Sequence, residues 1–411
     1  MNRIHLRNII ILSLLTIGVF ANTFDVPFAW DDEDNIIENE YVTNPPSPFI
    51  YFTPDYWEAY SSITRYGTRY LPLRTLTFAI DYYFWKARPF GYHVTNLIFH
   101  LANVLLVYIC ALMLFANVEF ALFGALIFAV HPMHVESVTW IKNRTDLITL
   151  IFYLLGLILY IKSNNMVKDV QQKVSSIKYQ VSNDKNQKSS IKYQKYLFLL
   201  GSVCCYVLTL MSKEMGITLP VIILLYIICF VDKKMWKKAF FTTLPLWLVC
   251  YAYLYFKLFI IKSGSAFDFK QIHIGLYSHV LVVLKSIVHY VFLMVFPFSF
   301  NPDRSIGIPV SMFEPYVLVS MAAIVLFIII AVKLYRRSSP GFFSFLWIFV
   351  TLGPVSNVFF IVTRPIAEQR LYIPSVGCAL LGAWGLCRLK KHTYVMLVLL
   401  VSTFSLMTIL R

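Results

Sequence analysis

Twelve hydrophobic stretches, each about long enough to cross a bilayer, limit this chain of 411 residues to a helical membrane protein. Hydrophobic residues make up 58% of the chain and charged residues only 14%, which a soluble domain with one core could not accommodate. In lipid the backbone polar groups must be hydrogen-bonded within the protein, so an all-α polytopic membrane protein is predicted. The stretches are residues 7–23, 92–116, 119–138, 145–162, 196–211, 215–231, 239–260, 277–298, 313–334, 341–361, 371–388 and 392–410.

The basic residues predict the orientation of these segments, because Lys and Arg collect on the cytoplasmic side of membrane proteins. Residues 162–195 carry eight Lys against two Asp, and shorter basic runs end several later stretches. Placing all of them and the N-terminus in the cytoplasm requires that one stretch does not cross. We predict that 277–298 is this interfacial or re-entrant segment, because His279, Lys285 and His289 are unfavourable in lipid. A bundle of about 11 transmembrane helices (11–12) results, with the C-terminus outside.

The sequence predicts a single membrane domain, residues 1–411, with two long loops. Residues 23–91 form the outer first loop, whose aromatic and Pro-rich second half predicts short interfacial helices. Residues 163–195, rich in Lys, Ser, Asn and Gln, predict a flexible cytoplasmic loop. The net charge of +15 is concentrated in cytoplasmic loops, where membrane lipids with anionic headgroups are the expected partners. Nucleic acid is not expected as a partner.

The outer first loop carries the strongest indication of chemistry, the run Trp30-Asp31-Asp32-Glu33-Asp34. Residues 23–60 hold nine of the 21 acidic residues of the chain and no Lys, Arg or His. Consecutive carboxylates beside a bilayer are costly, so they are expected either to be solvated or to have a function. The predicted topology places this acidic run on the outer face, opposite the Lys-rich loops.

Further ionisable side chains lie in the outer loops and at the adjoining helix ends, where function is the default interpretation. Two sets also fit ion pairs that hold helices together, namely Lys213 with Glu214 and Arg144 with Asp146. The candidates for contact with a substrate or its phosphate are Arg69, Arg74, Arg144, Lys213, Glu214, Glu368 and Arg370.

The run from His131 to Glu136 leaves three interpretations open. His131, His134 and Glu136 could ligate a divalent cation, although the spacing differs from HExxH and Pro132 interrupts the helix between the two histidines. They could instead be hydrogen-bonded polar residues that close a cavity, or they could contact an acceptor directly. No other cofactor is indicated.

The chain carries a series of short motifs, one after another, nearly from end to end. The motifs are Trp30-Asp31-Asp32, Tyr70-Leu71-Pro72-Leu73, Gly91-Tyr92-His93-Val94-Thr95-Asn96, His131-Pro132-Met133-His134-Val135-Glu136, Arg144-Thr145-Asp146, Ser212-Lys213-Glu214-Met215-Gly216 and Ala367-Glu368-Gln369-Arg370-Leu371-Tyr372-Ile373-Pro374. In this order they resemble the GT-C superfamily of polyprenyl-phosphate-sugar-dependent glycosyltransferases, and within it the membrane part of TMTC-type protein O-mannosyltransferases.

The resemblance implies an inverting transfer of a sugar to a hydroxyl acceptor. A sugar on a lipid phosphate already has a good leaving group, so one carboxylate that deprotonates the acceptor is sufficient. Cations must hold the departing phosphate as its charge develops. Asp31 and Asp32 match the acid pair of the family, which makes Asp31 the expected general base and gives Asp32 an orienting or metal-contacting role. Arg144 and Arg370, supported by Lys213, are the expected phosphate ligands.

Two departures from the family limit what the resemblance implies. Leu71 stands where the family usually has Arg, so Arg69 or Arg74 would have to supply a guanidinium there. The tetratricopeptide repeats of the family are not found within residues 1–411, so the acceptor stays open between protein, glycan and lipid. A prokaryotic inner (plasma) membrane is the expected location, with the endoplasmic reticulum as the alternative. A lipid or glycan transporter, or a non-catalytic scaffold with this fold, is the competing interpretation.

Overall fold

The computed structural model describes residues 3–53, 56, 71–176, 185–260, 274–298, 301, 304, 307–358 and 366–411. Within these ranges the protein is helical, and no β-strand occurs. The predicted all-α class is therefore confirmed. The α-helices of the described ranges are α1 (Arg3–Val19), α2 (Glu40–Thr43), α3 (Pro72–Trp85), α4 (Pro89–Phe115), α5 (Val118–Ala129), α6 (Val135–Thr139), α7 (Arg144–Ser176), α8 (Lys185–Ser212), α9 (Leu219–Phe230), α10 (Trp236–Phe241), α11 (Leu244–Tyr255), α12 (Leu276–Val295), α13 (Pro315–Arg337), α14 (Ser339–Leu352), α15 (Pro374–Leu386) and α16 (Thr393–Ile409).

The number of membrane spans differs from the prediction. Six helices in the described ranges are long and apolar enough to cross a membrane, and two bent helix pairs raise the number to eight if each pair is one span. The predicted number of about eleven is not confirmed. Stretch 119–138 bends by 52° between α5 and the helical turns that begin at Pro132. Stretches 341–361 and 371–388 form apolar helices shorter than 18 residues, so hydropathy alone overestimated their helical length.

The prediction that 277–298 is interfacial or re-entrant stays a prediction, although helix α12 is also long and apolar enough to cross a membrane. Its 20 residues form one unbroken helix, which is among the six that are long and apolar enough to span. Two of the polar side chains that suggested otherwise have protein partners. His279 Nε2 lies 2.7 Å from the Asn357 carbonyl oxygen, and Lys285 Nζ donates to the Gly307 carbonyl oxygen at 3.0 Å. Such contacts reduce the cost of polar groups in a membrane helix.

The predicted loop 163–195 is largely helical where it is described. Helix α7 continues to Ser176 and α8 begins at Lys185. Lys and Gln are good helix formers, so a hydrophilic composition does not by itself end a helix. The cytoplasmic location of this loop stays a prediction.

Close packing of α4, α5, α7, α14 and α15 forms the centre of the molecule. Gly377 shows how closely these helices approach one another, because a Cβ atom at this position would lie 2.8 Å from the Ser344 carbonyl oxygen and from the Trp347 ring. Small residues at such crossings allow membrane helices to pack without a hydrophobic driving force. Helix α4 of this packed centre also contacts α3 of the first loop.

The outer first loop contains short helical segments, as predicted. A 3₁₀ turn covers Ile50–Phe52, and α3 begins at Pro72, which suits the first turn of a helix because its missing N–H would have no partner there. Tyr56 joins the two segments by donating to Thr75 Oγ1 at 2.7 Å. The location of these segments at the membrane surface stays a prediction.

Candidate active site

The two acids of the outer loop differ sharply in environment. Asp32 is 1% exposed, and its carboxylate accepts hydrogen bonds from the backbone N–H groups of Ala29 at 3.0 Å and Lys142 at 2.8 Å. Asp31 is only partly buried, with 28% of its side chain exposed, and it forms an ion pair with the Lys142 ammonium. The turn that leads into both acids begins at Trp30, which adopts a left-handed conformation with φ 51°. One residue of the pair is therefore held by the backbone and the other is accessible to solvent.

Burial raises the pKa of Asp32 to about 6. The two backbone hydrogen bonds oppose this shift, and so do the positive charges of Arg144 and Arg74. Desolvation nevertheless dominates, because it penalises the ionised form of a buried carboxyl. Asp32 is therefore ionised at neutral pH and takes up a proton in mildly acidic solution.

The remaining acids of the run face solvent. Glu33 and Asp34 are exposed, which confirms the interpretation of these two residues as a solvated loop face. Asn35 turns inward instead. Its Nδ2 donates to the Asp31 carbonyl oxygen at 2.5 Å, and its Oδ1 accepts from Arg74 at 2.9 Å. Arg74, which is buried in the first turn of α3, thus supports the acidic turn through Asn35.

Arg144 is fully buried and pairs with an acid that was not predicted. Its Nη2 lies 2.6 Å from Asp81 Oδ2, its Nε donates to Asn96 Oδ1 at 2.6 Å, and Nη2 also donates to the Tyr92 carbonyl oxygen at 3.0 Å. The alternative interpretation of Arg144 and Asp146 as an ion pair is therefore wrong. The first turn of α7 directs Arg144 towards α3 and α4, whereas Asp146 points elsewhere.

Asp146 pairs with Lys213, whose Nζ lies 2.6 Å from Asp146 Oδ1. The expected pairing of Lys213 with Glu214 is also wrong, because Glu214 instead lies 3.9 Å from Lys257. Arg370 approaches closely enough to interact electrostatically with Asp146. Lys213 and Arg370, both partly buried, thus bring two cations to one buried carboxylate.

His131, His134 and Glu136 are buried but have separate partners. His131 Nε2 lies 3.0 Å from the Met294 carbonyl oxygen, and His134 Nε2 lies 2.7 Å from Ser375 Oγ. Glu136 accepts from the Gln369 backbone N–H at 2.9 Å. In the described part of the chain no group of three His, Cys, Asp or Glu could hold a metal ion. The three side chains therefore fit the interpretation as hydrogen-bonded polar residues that close the structure.

Glu368 is a fully buried carboxylate that joins distant segments. It accepts from the Asn301 backbone N–H at 2.9 Å and pairs with Arg304 at 3.4 Å and with Arg411. Its neighbour Arg370 donates to the Tyr290 hydroxyl at 3.4 Å. These contacts give Glu368 a structural role in holding the loop that carries Arg370.

The sequence did not predict Asp81 and Asn35 as site residues, nor the contacts of Lys142 with the acid pair. Asp81 follows Arg74 by seven residues, and this spacing places both on one face of α3. That spacing was a usable signal for Asp81, whereas the contacts of Lys142 and Asn35 depend on loop conformation. Arg69 lies outside the described residues.

No family model matches the chain. Protein O-mannosyl-transferase F38B6.6 of Caenorhabditis elegans is 27% identical over 398 residues, which cover 94% of this chain and 52% of that protein. Human protein O-mannosyl-transferase TMTC4 is 25% identical over 438 residues, which cover 93% of this chain and 56% of the relative. Human TMTC3 is 32% identical over 164 residues, which is 40% of this chain and 18% of TMTC3.

The fold is similar to that of the archaeal oligosaccharyltransferase AglB from Archaeoglobus fulgidus, solved with an inhibitory peptide and a dolichol-phosphate. The TM-score is 0.51 at 14% identity, over 99% of this chain and 55% of that one. The chain is thus similar in fold to this oligosaccharyltransferase and in sequence to protein O-mannosyl-transferases. The resemblance to TMTC-type protein O-mannosyltransferases is confirmed over most of the chain. The chain spans about half the length of the curated relatives that it matches end to end.

Proposed function

We propose that this protein is an inverting glycosyltransferase that moves a sugar from a polyprenyl-phosphate donor to a hydroxyl group, with protein Ser or Thr as the favoured acceptor. The observation that carries the proposal is the unequal acid pair, in which Asp31 is accessible and Asp32 is held by two backbone N–H groups. The relatives are named protein O-mannosyl-transferases, which favours mannose as the sugar. The dolichol-phosphate in the AglB structure favours a lipid-phosphate donor.

In this mechanism Asp31 is the general base. It takes the proton of the acceptor hydroxyl while the acceptor oxygen forms a bond to the anomeric carbon of the sugar. The bond from that carbon to the phosphate oxygen breaks, and the phosphate leaves with the electron pair. No general acid is needed because the phosphate is a stable leaving group. Asp32 fixes the turn that presents Asp31.

The departing phosphate needs cations that can reach it. Lys213 and Arg370 meet this requirement better than Arg144, because Arg144 is fully buried against Asp81. We therefore assign the phosphate first to Lys213 and Arg370 and give Arg144 a supporting role. A divalent cation is the second means of neutralising this charge. Transfer that is lost in EDTA and restored by Mg²⁺ or Mn²⁺ would support such a requirement, and EDTA-resistant transfer would exclude it.

The test of the base is Asp31→Asn in the full chain reconstituted into liposomes, with polyprenyl-phosphate mannose and a Ser/Thr peptide as substrates. General-base catalysis contributes about a hundredfold or more, so transfer should fall at least that far while insertion and folding stay intact. Asp34→Asn removes an exposed carboxylate of the same run and is the matched control. Full transfer by Asp31→Asn would contradict the assignment and favour a scaffold.

The reaction is proposed to take place on the outer or lumenal face, since the topology predicted from the sequence puts the acidic loop on the side opposite the Lys-rich loops. Adding the peptide to only one side of oriented vesicles tests this, because transfer should require peptide on the side of the acidic loop. Movement of the lipid across the bilayer without any transfer to the peptide would favour the transporter instead.

A further inference from the structure

Lys142 contacts both acids of the outer loop, one through its side chain and the other through its backbone. The ammonium group pairs with Asp31 Oδ2, and the backbone N–H donates to Asp32 Oδ1 at 2.8 Å. The residue lies between α6 and α7, far from the acids in sequence. Because one residue makes both contacts, a shift of its backbone would disturb the two carboxylates together.

The surroundings of the ammonium favour one position for it. It lies 5.2 Å from the centre of the Trp140 ring, within the range of a cation–π interaction. The Trp140 indole N–H donates to the Ala29 carbonyl oxygen at 3.2 Å, and the Trp30 ring meets Trp140 edge-on at 4.9 Å. These contacts fix the indole against the acidic turn. The Lys142 ammonium is therefore held by the Trp140 ring, which Trp30 supports, as well as by the charge of Asp31.

The ion pair lies at the boundary between protein and solvent. The side chains of Lys142 and Asp31 are 24% and 28% exposed, so an acceptor can approach the carboxylate without unfolding the loop. A cation in contact with a carboxylate favours its ionised form, which is the form that a general base must have before it takes a proton. Lys142 engages Oδ2, so the acceptor proton is assigned to Oδ1.

We propose that Lys142 is a positioning residue that keeps Asp31 ionised and oriented for proton transfer. The proposal rests on the proposed function for its catalytic meaning, since Asp31 is the base of that reaction. The proton of the acceptor hydroxyl passes to Asp31 Oδ1 as the acceptor oxygen bonds to the sugar, and Lys142 keeps its own protons throughout. The residue therefore acts through Asp31 and does not touch the reacting bond.

The effect can be measured without any sugar transfer. A water-soluble carbodiimide with an amine nucleophile modifies a carboxyl group in its protonated form, so the pH dependence of modification reports the protonation of Asp31. The full chain in detergent micelles is labelled between pH 3 and pH 8, and the modified peptide is quantified by mass spectrometry with fragmentation between Asp31 and Asp32. The same series is measured for Lys142→Met, Lys142→Arg and the control Lys86→Met. Lys86 is an exposed lysine whose ammonium lies 5.2 Å from the Tyr82 ring.

The labelling midpoint is the pH at which Asp31 is half-modified. In Lys142→Met this midpoint should rise by about one pH unit, because an opposite charge in contact shifts the pKa of a carboxyl by about 1–3 units and partial exposure weakens the effect. Lys142→Arg should keep the wild-type midpoint, and Lys86→Met should leave it unchanged. A midpoint that is the same in Lys142→Met and in the wild type overturns the proposal, whatever the activity of either protein.

The transfer assay separates this proposal from the proposed function. If the wild type transfers sugar, the acid limb of its pH–activity profile should move to higher pH in Lys142→Met. In Lys142→Arg it should lie at the wild-type pH. A merely structural ion pair would lower the amount of folded protein without moving that limb, and this result would overturn the positioning role. A labelling midpoint that shifts in a chain without any transfer would refute the proposed function and leave the control of Asp31 by Lys142 intact.

Discussion

The buried ion pair between Arg144 and Asp81 gives the sharpest test of the structure. Arg144→Met removes the 2.6 Å ion pair and the hydrogen bonds to Asn96 and Tyr92. The side chain of Asp81 is only 6% exposed and would keep the Thr95 hydroxyl, which donates to it at 2.7 Å. Removing one partner of a buried pair costs about 3–5 kcal/mol, because the other charge stays buried without compensation. We expect a loss of this size in the free energy of unfolding.

The measurement is unfolding in mixed micelles of a mild detergent and SDS, followed by tryptophan fluorescence. The double variant Arg144→Met/Asp81→Leu should recover much of the loss, since replacing both members of a buried pair by apolar residues is often neutral. The control is Lys257→Met, which removes a more exposed pair with a 3.9 Å separation from Glu214 and should cost about 1 kcal/mol or less.

A loss below about 1 kcal/mol for Arg144→Met would refute this reasoning, because that is the range of a solvent-exposed pair. A double variant no more stable than the single variant would refute it as well. If instead Arg144 binds the donor phosphate directly, Arg144→Met would raise the KM for the donor while the free energy of unfolding stayed at the wild-type value. The two measurements therefore separate a structural guanidinium from a substrate-binding one.

Two further predictions concern stability. The first concerns Asp32, whose pKa is raised from 3.8 to about 6, so its contribution to the free energy of unfolding is fully present below pH 3.8 and is lost as the pH rises through 6. This contribution is about 3 kcal/mol. The free energy of unfolding should therefore fall between pH 4 and pH 7, and it should fall less in Asp32→Asn. The second concerns Gly377→Ala, which should cost about 1–3 kcal/mol of stability, since its Cβ would lie 2.8 Å from the Ser344 carbonyl oxygen. The control Gly385→Ala has nothing within 4 Å of its Cβ and should be neutral or stabilising. Equal stability of the two variants in mixed-micelle unfolding would contradict the packing argument.

The sequence was sufficient for features that depend on local composition. The hydrophobic stretches predicted an all-α membrane protein, and the aromatic and Pro-rich part of the first loop predicted short helices such as α3. The exposure of Glu33 and Asp34 also followed from their place in a polar loop. These features need only the preferences of neighbouring residues, which is why one sequence contained them.

Breaks within helices and ion pairs between residues distant in sequence were not predicted. Hydropathy windows detect neither the 52° bend before Pro132 nor apolar helices shorter than 18 residues, and for these reasons the number of spans was not confirmed. The partners of Arg144 and Lys213 were sought next to them in sequence, but Asp81 is 63 residues from Arg144 and Asp146 is 67 residues from Lys213. Ion pairs between helices are fixed by packing, and neighbouring charges on one helix often face different helices.

The acid pair shows how two identical side chains in adjacent positions acquire different tasks. Both oxygens of Asp32 accept backbone N–H groups and the residue is only 1% exposed, so an acceptor hydroxyl has little access to this carboxylate. Asp31 uses Oδ2 for Lys142, and its side chain is partly exposed, so an acceptor can approach this carboxylate. The acid that is more strongly held is thus the less suitable base. Its rigidity instead fixes Ala29 and Lys142, and through them the position of the carboxylate that meets the acceptor.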